Sequence, residues 1–172
     1  MKTIRLLSCL FLLCTMLSAC EKTPNMTELL AYETEACVYR LSVRDGSVFS
    51  AELTTAKEGD RFTLTDGKTA GISFVFSSED AALRYEELEI PLPENAPLRV
   101  AHWHTLFHLH EKNFLWRIRK ETFGGIAVYR CEAEEASVYI DAVTRLPLKL
   151  VSGEVEIDIL SCEMIEKPHT EQ

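Results

Sequence analysis

The sequence predicts an α+β, mainly β domain: a curled antiparallel sheet of about nine or ten strands, a half-barrel, with one covering helix around residues 97–111. Three observations predict it. Apolar residues alternate with polar ones over most of the chain, and turn signals punctuate that alternation at short intervals. Only one stretch, Pro97 to Glu111, carries a convincing helical period. The chain has 172 residues, 47% hydrophobic and 26% charged, which suits one globular domain and excludes long disorder or a multi-span membrane protein. The formal charge of −9, with no basic stripe, excludes a nucleic-acid binder.

Taken in order, Thr27 to Tyr32 reads as a brief helix capped by Asn25 or Thr27. Cys37, Tyr39, Leu41 and Val43 then alternate with more polar neighbours, and Asp45-Gly46 is a hairpin signal before Phe49, Ala51 and Leu53. Lys57-Glu58-Gly59-Asp60 makes the next turn, followed by Phe62 and Leu64, and then by Ile72, Phe74 and Phe76. Leu83-Arg84-Tyr85 and Leu88 to Leu92 flank a turn at Glu86-Glu87, and Pro91, Pro93 and Pro97 end that pairing, since proline donates nothing to a ladder. On the helix, Val100, Trp103, Leu106 and Phe107 share a face, with Leu109 at its margin. Strands resume at Leu115 to Arg119, turn at Gly124-Gly125, and continue through Ile126 to Arg130, Val138 to Ile140, Leu146 to Leu150 and Val155 to Met164. In that last strand Ile157, Ile159 and Leu160 are expected to be buried.

The N-terminus is an address. Met1 to Arg5 is a short basic region, and Leu6 to Leu17 is an apolar run too short to span a bilayer, which takes about 20 residues as a helix. Leu17-Ser18-Ala19-Cys20 at its end resembles the bacterial lipobox. The resemblance implies a signal peptide over 1–19, a diacylglycerol thioether on Cys20 as the first mature residue, and a lipidated tether over 20–26. It also implies a cell-membrane location facing the extracellular or periplasmic side. The alternative is an ordinary secreted protein cleaved after Ala19. A single domain over 27–166 and a polar tail over 167–172 complete the organisation. Of six cysteines, Cys9 and Cys14 leave with the signal and Cys20 carries lipid. Cys37, Cys131 and Cys162 allow at most one bridge, so this is no disulfide framework, and they read best as small buried apolar residues.

The segments Thr69 to Phe74, Leu83 to Ile90 and Tyr139 to Lys149, the last containing Asp141-Ala142-Val143-Thr144-Arg145-Leu146-Pro147-Leu148, resemble those of LolA-like half-barrel proteins. These include small lipoproteins of Gram-positive, clostridial-type anaerobes and mycobacterial lipid-carrying lipoproteins. The resemblance implies noncovalent binding of an acyl chain or other apolar ligand in the concavity of the sheet. Phe49, Phe62, Phe74, Tyr85, Trp103, Phe107 and Trp116 are the candidate lining residues, against the alternative that each is ordinary core packing.

His102, His104, His108 and His110 lie close together, and on a helix His104, His108 and Glu111 share a face at the spacing zinc enzymes use. No HExxH motif and no fourth ligand accompany them, so a solvated polar face is favoured, and no metal or cofactor is expected. GxSxG and phosphate-loop motifs are absent. The acids at Glu132, Glu134 and Glu135, like Glu86 and Glu87, sit in turn contexts that favour solvated charge over glycosidase-type carboxylates. The expected protein is a non-catalytic, membrane-anchored lipoprotein that binds or shields an apolar ligand. The alternative is an envelope interaction or sensor module with a filled core.

Overall fold

The computed structural model describes residues 23–77, 80–93, 98–111 and 114–165. The expected signal peptide over 1–19, the expected lipidation site at Cys20 and the expected polar tail over 167–172 lie outside the described residues. Asn25 caps a one-turn helix, α1 (Met26–Leu29), through a capping box: its side chain accepts the Glu28 N–H and the Glu28 carboxylate accepts the Asn25 N–H. A 3-10 turn at Ala31–Thr34 then leads into the sheet.

The strands are β1 (Cys37–Asp45), β2 (Ser47–Thr54), β3 (Asp60–Leu64), β4 (Ser73–Phe76), β5 (Ala81–Tyr85) and β6 (Leu88–Leu92), then β7 (Arg117–Phe123), β8 (Ile126–Glu132), β9 (Ser137–Asp141), β10 (Pro147–Ser152) and β11 (Val155–Met164). They form one open antiparallel sheet in the order β6-β5-β4-β3-β2-β1-β11-β10-β9-β8-β7. Among the described residues the sheet has 11 strands, more than the nine or ten expected; each coincides with one alternating segment of the sequence, the short runs at Leu83–Tyr85 and Leu88–Leu92 forming strands of their own. Pro91 does not end the β5–β6 pairing as expected but opposes Ala82 within the edge strand β6, and Pro147 opens β10; an edge strand and a first strand residue are the positions where a missing N–H is tolerated.

The order has a geometric consequence. Each half is a meander, and the first and last strands meet in the middle. The link from β6 to β7 must therefore cross from one edge of the sheet to the other. It carries a two-turn helix, α2 (Arg99–Thr105), and a 3-10 turn at Leu109–Glu111. The helix is shorter than the 97–111 expected: backbone bonds Leu106 N to Trp103 O and Phe107 N to His104 O tighten the chain into a 3-10 pattern past Thr105. The predicted apolar face is nevertheless intact, and Val100, Trp103, Leu106, Phe107 and Leu109 are all buried against the sheet.

Phe62 pairs with Leu53 and Phe74, and Phe74 with Leu83. Directly opposed residues share a face, so Tyr39, Leu53, Phe62, Phe74 and Leu83 form one continuous inner floor. Trp103 rests on it against Phe49 and Phe62, with ring centroids 5.6 and 5.7 Å away, and Phe107 lies 5.5 Å from Tyr39. Leu160 is exposed rather than buried. The register slips between Arg40 and Leu41, so Ser161 and Ile159 are paired and Leu160 is bulged out of the ladder. Cys37 and Cys131 are buried and Cys162 is half-buried, all three as free thiols; burial pushes the Cys131 thiol up to about 12.

One glycine fixes the β2–β3 turn. Gly59 has φ +135°, and a Cβ there would lie 2.5 Å from the Phe76 carbonyl oxygen. Gly59→Ala is expected to destabilise the fold by more than about 1 kcal/mol through both strain and backbone clash. Urea unfolding checks this, and an unchanged midpoint would contradict it.

Candidate functional site

Three carboxylates from the first half of the chain hold the crossover in place. Asp45, ending β1, accepts the Trp103 indole N–H at 2.9 Å and the Arg99 guanidinium at 3.1 Å. Glu33, its side chain fully buried, accepts the backbone N–H groups of Leu109 at 3.1 Å and His110 at 3.0 Å, and also contacts the His110 ring at Nδ1. Burial raises the Glu33 carboxyl above its usual value, against the lowering effect of the His110 and Leu109 bonds.

The third is Asp60, whose side chain is 8% exposed. Its Oδ2 lies 2.9 Å from His104 Nε2 and 2.6 Å from His108 Nε2, while Oδ1 accepts the Ala56 N–H at 3.3 Å. Burial alone would raise this carboxyl. Hydrogen bonds from both rings, and their charges, outweigh that and hold it well below the ordinary aspartate range. The His104 ring also stacks on Phe76, with centroids 4.2 Å apart and planes 10° off parallel. The three groups form the floor of a cleft of about 580 Å³ whose rim includes Lys57, Glu58, Phe76 and Ser77.

The histidines are thus brought together as their spacing suggests, but not as a solvated face. His104 and His108 are only 19% and 20% exposed, because the crossover lies flat on the sheet and turns them toward β3. Among the described residues their carboxylate partner is Asp60; the Glu111 side chain lies outside those residues. The sequence alone places Asp60 in a turn. The available signal is its phase: Asp60, Phe62 and Leu64 alternate as one buried set, so an acid occupies a core position.

The candidate ligand residues are placed differently. Phe62, Phe74, Trp103 and Phe107 are buried core, and Phe49 and Trp116 are half-buried against it. Tyr85 alone among the seven is exposed, at 43%. It has company: Tyr85 pairs with Leu88 and Leu83 with Ile90, so Leu88 (56% exposed) and Ile90 (44%) lie on the inner face too. Among the described residues, the inner floor therefore continues beyond the crossover as an uncovered apolar strip on β5 and β6.

No helix of the described residues is long and apolar enough to cross a membrane. No protein-family model matches the sequence, and no curated protein matches it significantly. Solved structures do. An uncharacterized conserved protein from Thermus thermophilus is similar at 8% identity and TM-score 0.59, with 82% of this chain and 86% of that one covered. A LolA superfamily protein from Nitrosomonas europaea aligns at 7% identity and TM-score 0.46, covering 85% and 96%. The Mycobacterium tuberculosis lipoprotein LppX aligns at 11% identity and TM-score 0.40, covering 76% and 91%. The chain shares its fold with the Thermus protein.

Proposed function

We propose that the protein is a non-catalytic bacterial envelope lipoprotein, anchored through lipid on Cys20, that shields an acyl chain or similar apolar ligand on the inner face of its sheet. The observation that carries this reading is the strip of Tyr85, Leu88 and Ile90, apolar, exposed and continuous with the buried floor at Leu83 and Phe74. A ligand lying along it would extend the core sideways, and burying each such side chain is worth about 1.5–3 kcal/mol. The lining is therefore Tyr85 with its neighbours on β5 and β6, while the central aromatics serve as the wall behind them. Anchoring at the N-terminus keeps this face near the bilayer from which such a ligand comes.

One observation favours a second reading, an interaction or sensor module. Trp103, Leu106 and Phe107 are buried in the core and fill the middle of the inner face. Native mass spectrometry of the full chain carrying Cys20→Ser, free of covalent lipid, separates the two. A noncovalent adduct at fatty-acid or phospholipid mass, lost on acid denaturation and abolished by Leu88→Glu with Ile90→Glu, is the expected result. Both substitutions sit on an exposed edge strand, where charge is tolerated. A bare mass with no uptake of added oleate would favour the interaction module.

A further inference from the structure

We propose that Asp60, His104 and His108 form a Zn²⁺ site with an open coordination position, built between the crossover and β3. The three ligand atoms, one from each residue, lie within 4.8 Å of one another. Two imidazoles and one carboxylate are a donor set zinc uses, and three protein ligands with a vacant fourth position mark sites where the metal meets water or an incoming donor. The vacant direction here is the cleft, with Glu58 on its rim.

Two features separate this from an ordinary buried hydrogen bond. First, Asp60 occupies a core position on the inner face, in phase with Phe62 and Leu64, where taking a carboxylate out of water is costly unless a cation compensates it. One histidine would satisfy such an acid. Here both rings aim the same nitrogen, Nε2, at the same oxygen, Oδ2, which brings three potential ligands to one point. Second, the ligands are held from behind. The Ala56 N–H fixes the other oxygen of Asp60, and Phe76 stacks on the His104 ring, the kind of support that orients metal ligands. To bind the ion, each ring releases its Nε2 proton and keeps or takes one on Nδ1, and the lone pairs turn to the metal. The ion then replaces the ring protons as the charge facing Asp60. Because His104 and His108 belong to the crossover and Asp60 to β3, occupancy fastens the crossover to the sheet. This site is separate from the apolar strip, so either can exist without the other.

The test uses the full chain in neutral detergent, stripped with a chelator and titrated with Zn²⁺ against a chromophoric competitor. One Zn²⁺ per chain, bound more tightly than about 1 µM, is expected, with a thermal midpoint raised by about 5–10 °C at a hundredfold excess over the dissociation constant. Co²⁺ in its place should give the strong visible bands of a four-coordinate ion. Loss of an outer-shell partner already costs 10–100-fold, so His104→Gln or His108→Gln should weaken binding at least about 100-fold. Asp60→Asn, which keeps an oxygen for one ring, should weaken it at least about 10-fold, and His102→Ala should leave it unchanged. Absence of binding below about 10 µM, or binding that His104→Gln and His108→Gln leave intact, overturns the proposal. Should those variants fail to fold, the Co²⁺ spectrum of the unaltered chain decides, and a weak six-coordinate spectrum overturns it.

Discussion

Trp103→Ala is expected to destabilise the domain by about 4 kcal/mol and lower its thermal midpoint by about 10 °C. The indole is the keystone of the crossover. It is 3% exposed, lies between Phe49 and Phe62, and donates its N–H to Asp45 at 2.9 Å. Truncation removes a large apolar surface and leaves a cavity that the sheet cannot close, since its floor is hydrogen-bonded on both sides. Trp103→Phe separates the contributions. It keeps most of the volume and deletes the indole N–H, so a loss of about 1 kcal/mol is expected, the more so because Arg99 still serves Asp45. Equal losses in the two variants would contradict this account and place the stabilisation in the hydrogen bond. Urea unfolding of both proteins, with midpoint and slope compared, is the measurement.

Glu33→Ala should be nearly as damaging, at about 3 kcal/mol. Two backbone N–H groups, of Leu109 and His110, converge on this buried carboxylate and would be left without an acceptor in a place water reaches poorly. Glu33→Gln retains one oxygen for one of them and should cost roughly half as much. The pH dependence has a definite sign. Burial raises the folded-state carboxyl above its ordinary value, so the native state binds this proton more readily than the unfolded chain. The contribution of Glu33 relative to the non-titrating Gln variant is therefore largest below the unfolded value and declines as pH rises through the raised folded one. A gap between the two proteins that widens with pH over that range would refute the assignment.

The elements of this fold are legible in the sequence where the physics is local. Asp45-Gly46, Gly124-Gly125 and Gly153 mark tight turns with positive φ, and the period-two alternation of Cys37 to Val43 is reproduced as a strand with one buried face. The helical stripe from Val100 to Leu109 is legible as a buried face, though not in length, because the last turn tightens where it must descend onto the sheet. What the sequence hides is non-local. Leu160 reads as buried until the register of β11 against β1 is known, since a bulge flips it outward. Asp60 reads as a turn residue until His104 and His108, 44 and 48 positions later, arrive over it. Aromatic residues look alike in sequence whether they fill a core or line a site; only pairing across β5 and β6 shows which are left uncovered.

The meeting of the first and last strands at the centre of the sheet bears on how the chain finds its fold. Within each half every strand pairs with its neighbour in sequence, and such hairpins form in about microseconds. The β1–β11 seam is different in kind: Arg44 and Glu156, ion-paired across it, are 112 residues apart. Closing that loop costs chain entropy before any of the seam's bonds reward it. Substitutions in the β1–β11 seam are therefore expected to slow folding, and those on the edge strands β5 and β6 to speed unfolding; folding and unfolding rates measured against urea check this, and equal effects at the two places would contradict it.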